Sequence, residues 1–157
     1  MGDQKPPRCC DAERETLTAL LRYQRDSLCR KVEGVPDDAA RTTVVPSGTT
    51  MLWLIRHMTR AEALWVLARF AGRTGEVPDD SVDPEDSLAA AVTAYRATCD
   101  EVDRVIGSHE FDAEALPEGD LQPVNLRWIV MHLLEETARH AGHADILREL
   151  FDGHTGR

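Results

Sequence analysis

Apolar residues recur at three- and four-residue steps in four stretches of the chain, the spacing of one buried helix face. In the first, 11–33, Leu17, Leu20, Leu21, Gln24, Leu28 and Val32 fall on one side, and Gly34 with Pro36 stops the helix. A connector follows through Pro46. Ser47 reads as the N-cap of a second helix. Its apolar face is Met51, Leu54, Ile55, Met58, Ala61, Leu64, Trp65 and Ala68, and Gly72 and Gly75 end it. After an acidic loop over 76–83, Pro84 suits the first turn of a third helix. There Leu88, Ala91, Val92, Tyr95, Cys99, Val102 and Ile106 repeat helically to Gly107. A longer connector holds Pro117, Gly119 and Pro123. The fourth helix is predicted over 124–151, with Ile129, Val130, Leu133, Leu134, Thr137, Ala141, Ala144 and Leu147 inside and Gly153 as its stop. No stretch sustains a two-residue alternation, so almost no strand is expected.

Four amphipathic helices predict an all-α, four-helix bundle with longer connectors before helices 2 and 4. The length of 157 residues fits one domain. Residues 1–10 are polar and contain Pro6 and Pro7, and read as a flexible arm ahead of a domain over 11–157.

Charge narrows the partners. The net charge is −10 and no basic stripe offsets it, which argues against nucleic acid and against an anionic membrane surface. No run approaches the roughly 18 apolar residues of a membrane span. The four cysteines, Cys9, Cys10, Cys29 and Cys99, include no CxxC pair. They read as reduced thiols of a cytoplasmic protein, neither metal ligands nor structural bridges. The chain has 16 Arg but only 2 Lys, which suggests a GC-rich bacterial source.

The chemistry concentrates on the last helix. At roughly 100° per residue, Glu136 and His140 lie about 40° apart on successive turns, and His132 and His143 fall on the same stripe. A pair at i, i+4 is also a common helix pair with no ligand. A metal needs further donors from a facing helix, and His57 is the one other His inside a helical pattern, spaced to point inward. His109 and His154 lie in or beside loops. Two nitrogens and a carboxylate oxygen suit zinc and also allow nickel. Three protein ligands leave a position open for chemistry. Trp53, Trp65 and Trp128 read as core or interface aromatics.

These residues resemble the DinB-like superfamily, whose bundles include thiol-dependent transferases and the mycothiol-dependent maleylpyruvate isomerase. The resemblance runs from about Glu13 to Asp152. It is carried by the segment from Pro46 through His57 to Glu62, and by the segment from Asn125 through His132, Glu136, His140 and His143 to Glu149. It looks like the actinobacterial branch long classed as a domain of unknown function. The resemblance implies metal ligands at His57, Glu136 and His140, with Glu136 standing where many relatives carry a third His, as in that isomerase. It places His143 beside the ligands, as a second-sphere or substrate-contacting residue. The isomerase has a further C-terminal domain that helps shape its site, which counts against that one activity here.

The expected function is therefore a metal-dependent transferase or isomerase that joins a low-molecular-weight thiol, mycothiol by resemblance, to a small-molecule electrophile. His143 is the expected catalytic residue, orienting the nucleophile or a bound water. Arg148 is a candidate to receive an anionic group of the cosubstrate, or else an ordinary salt-bridge partner. The alternatives are a metal-dependent hydrolase and a non-catalytic metal- or ligand-binding dimer. The resemblance also implies a homodimer.

Overall fold

A computed structural model of the chain describes residues 5–8, 12–75, 77–117 and 122–155. Helix α1 spans Glu13–Val32, α2 Asp37–Arg41, α3 Met51–Glu62, α4 Leu88–Ser108 and α5 Leu126–Asp152. A π-helical segment, Ala63–Phe70, continues α3 without a break. The all-α bundle expected from the pattern is what forms. The four long rods match the four predicted helices, and α2 is an extra turn inside the connector before α3. Of the predicted arm, only 5–8 are described, and they are irregular and exposed. Cys9, Cys10 and Gly119 lie outside the described residues.

Local chemistry sets the helix starts. The second long helix begins at Met51, because the Thr50 side chain accepts from the Trp53 N–H at 3.1 Å. The expected cap, Ser47, sits three residues early. It lies inside a turn closed by Gly48 N–H donating to Val45 O at 3.1 Å, and Gly48 takes a φ of +80°. That left-handed conformation favours glycine and holds the chain out of the helix until Thr50. Ser87, not Pro84, precedes α4, since a turn between Asp83 and Asp86 occupies the intervening residues. Asn125 caps α5 through Trp128 N–H at 3.0 Å. Between Glu114 and Asn125 lies an isolated antiparallel bridge, and no strand occurs among the described residues.

The core has two joined halves. One gathers Leu28, Val32, Leu52, Leu54, Ile55, Met58 and Tyr95, and the other Leu21, Val66, Phe70, Val102, Ile106, Leu126, Ile129 and Leu133. The inner face of α5 is as the pattern predicts, apart from Leu134, which is half-buried. Beyond Ala61 the expected face of Leu64, Trp65 and Ala68 is displaced. Ala63, Val66 and Phe70 are buried instead. Wider π turns, with Ala71 N–H donating to Val66 O at 2.9 Å, rotate each following residue out of the 3.6-residue phase.

Helices α3 and α5 run antiparallel. Met51 shares a cavity with Leu147, His57 faces His140, and Trp65 faces His132. The last-helix stripe therefore meets α3 level by level, which is what assembles a site.

Candidate metal centre

His57 on α3 and Glu136 and His140 on α5 each offer a donor atom, all within 4.8 Å of one another. The His57 and His140 rings meet edge to face with centroids 5.0 Å apart. His140 Nε2 lies 3.5 Å from Glu136 Oε2. Metal–nitrogen bonds of about 2 Å put two donors on one ion about 3–4 Å apart. The set needs only small side-chain rotations to close on an ion. Two imidazoles and one carboxylate are the donor chemistry of an open zinc centre.

Each donor group is also held from outside. Asp80 Oδ2 lies 3.0 Å from His57 Nδ1. Arg139 Nη1 holds the other Glu136 oxygen, Oε1, at 2.9 Å. His143 Nδ1 lies 3.3 Å from His140 Nδ1. The atoms left for a metal are then His57 Nε2, Glu136 Oε2 and His140 Nε2. Trp53 stacks on the His57 ring at 4.6 Å and 19°, and meets His140 edge-on at 6.3 Å.

The electrostatics favour neutral, metal-ready imidazole. Burial of His140, helped by neighbouring His57, lowers its pKa to about 4 against the opposing pull of Glu136. Protons then compete little for its nitrogens near neutral pH.

The remaining expected residues separate. His143 is exposed and touches His140. His132 belongs to a different cluster, stacked on Trp128 at 4.9 Å and meeting Trp65 edge-on at 5.0 Å. Arg148 is engaged in structure: it binds Asp152 at 2.8 Å, and the Lys31 and Glu33 carbonyls at 3.1 and 2.9 Å. Those carbonyls lie at the C-terminus of α1, where a cation is favourable. Cys29 and Cys99 are buried and unbridged, and burial raises both thiols above their ordinary pKa, Cys99 with added repulsion from Glu62. Neither is a ready nucleophile.

Sequence reasoning missed Asp80 and a buried ion pair. Arg25 Nε and Nη2 grip the two Glu62 oxygens at 2.7 and 2.6 Å, and Arg25 Nη1 reaches Asp103 at 2.7 Å. Both Arg25 and Glu62 stand at helical core spacing, at i+4 from Leu21 and from Met58, and that phase was the available signal.

A family model described as Mycothiol-S-transferase matches residues 16–153. The structure is similar to a crystal structure described as a conserved protein from Enterococcus faecalis, with a TM-score of 0.70 and 15% identity, covering 92% of this chain and 100% of that one. At that identity the likeness speaks for the shared fold. No curated protein matches this chain.

Proposed function

Since the chain belongs to the mycothiol-S-transferase family, a DinB-like family, we propose that it joins mycothiol to a small electrophile at a divalent metal held by His57, Glu136 and His140. The observation that carries this reading is the convergence of those three donors from two antiparallel helices. Zinc is the metal we favour, from the two-nitrogen, one-oxygen set. A bound ion supplies Lewis acidity that favours the thiolate of an incoming thiol. His57, Glu136 and His140 would hold that ion in the groove between α3 and α5. The thiol proton leaves to solvent, and His143, on the Nδ1 side of His140, orients that ring. The sulfur lone pair then forms the S–C bond, and where the electrophile carries a leaving group, that group departs with its electron pair. No role in binding the cosubstrate is given to Arg148, whose partners are already at the end of α1.

Supporting features extend the reading. Buried, unbridged Cys29 and Cys99 suit a reducing cytoplasm. Exposed Ile146, Leu150 and Phe151 on α5 suit a homodimer. No helix among the described residues is long and apolar enough to cross a membrane.

The test uses Glu136→Gln and His140→Ala, assayed with mycothiol and a thiol-reactive alkylating electrophile, alongside helical content by circular dichroism. Lost turnover with retained helices is expected, because the apolar stripe of Ile129, Leu133, Ala144 and Leu147 holds α5 in place. Wild-type activity in both variants would overturn the reading. Turnover that persists without any thiol would point to hydrolysis instead.

A further inference from the structure

The acidic loop after the π-helical segment lies across α3 because two α3 arginines bind it. Arg60 Nη1 donates to Pro78 O at 3.1 Å, and Arg56 Nη2 to Asp79 O at 3.2 Å. Arg56 Nη1 also reaches Asp86 Oδ2 at 3.0 Å. The Ser81 hydroxyl hydrogen-bonds Asp79. Between these ties, Asp80 reaches the Nδ1 edge of His57 at 3.0 Å, with both side chains about 30% exposed.

The tie matters because a neutral imidazole has one N–H and one lone pair, and only the lone pair binds a metal. In water a free histidine side chain mostly carries its proton on Nε2, which leaves the metal-binding lone pair on Nδ1. A carboxylate at Nδ1 reverses that preference by accepting the Nδ1 proton, and it also fixes the ring plane. Trp53 stacked on the same ring removes the remaining freedom of rotation.

Building on the metal-binding reading above, we propose that Asp80 is a positioning residue for the metal centre. It holds the Nδ1 proton of His57 and so presents Nε2 to the ion. The strap formed by Arg56 and Arg60 makes this loop a working part of the site, although none of its described residues belongs to the ligand set. Glu136 and His140 are steadied by α5 neighbours in sequence, Arg139 and His143. His57 alone takes its support from a different part of the chain.

The experiment compares the wild type, Asp80→Ala and Asp80→Asn. Zinc affinity is measured by competition with a chromogenic chelator. The His57 tautomer is read by ¹⁵N NMR of the metal-free protein, with melting temperature as a check on folding. In Asp80→Ala, affinity is expected to fall about 10–100-fold, and the His57 proton to move toward Nε2. Asp80→Asn keeps an acceptor without the charge and should fall in between. An Asp80→Ala protein with wild-type affinity overturns the proposal. So does one whose affinity falls while its tautomer stays on Nδ1–H, since the effect would then be loop disruption. Absence of zinc binding by the wild type itself would defeat the metal-centre reading, while the tautomer measurement would still judge the Asp80 contact.

Discussion

His57 and His140 meet edge to face across the groove between α3 and α5, with ring centroids 5.0 Å apart and planes at 77°. Burial of His140, helped by the nearby His57 ring, disfavours its protonation and lowers its pKa from 6.5 to about 4. The unfolded chain keeps an ordinary His there and binds its proton at higher pH. Between about 6.5 and about 4 the unfolded state therefore holds more protons at this position. Stability from this group is fully present above about pH 6.5 and is lost as pH falls toward 4. Denaturant midpoints of chelator-treated protein from pH 7.5 to 4.5 should fall more steeply for the wild type than for His140→Gln. Parallel pH profiles would contradict the assignment.

The start of α3 separates two residues that look alike in sequence. Thr50→Ala removes the hydroxyl that accepts from Trp53 N–H and should cost about 1 kcal/mol. Ser47→Ala touches only the Thr49 hydroxyl in a loop and should stay within about 0.5 kcal/mol. Urea unfolding of the two variants decides the matter. Equal effects would place the cap elsewhere.

Arg25 and Glu62 form the most buried ion pair of the fold's described residues, at 5% and 0% side-chain exposure. Arg25→Met leaves the Glu62 carboxylate with no charged partner in the core and should cost about 3–5 kcal/mol. Replacing both, as Arg25→Met with Glu62→Leu, removes the stranded charge and should recover most of that loss. Chemical denaturation at neutral pH measures both. A single variant within about 1 kcal/mol of the wild type would show that water reaches the pair.

How far the sequence spoke depends on which physical signal each residue carries. Glu136 and His140 were legible because a helix fixes i, i+4 geometry without help from the rest of the fold. His57 was legible because an imidazole among apolar neighbours at helical spacing must face inward. His132 shares the stripe but not the site. At its level α3 presents Trp65, and the ring stacks on Trp128. Asp80 was hidden, since its place is set by Arg56 and Arg60, about 20 residues earlier, and not by periodicity. Arg25 and Glu62 were passed over because charged residues usually face solvent, and only the pairing makes their burial tolerable.

The π-helical segment Ala63–Phe70 leaves a mark on how this chain can vary. An insertion or deletion of one residue in an α-helix swings everything beyond it by about 100° and normally ruins the packed face. A segment that is already wound wide stores surplus length, and tightening or loosening a turn can absorb such a change locally. Gains and losses of single codons in this region should therefore be tolerated best within 63–70. The same events within 51–56 would carry His57 off the groove it shares with His140.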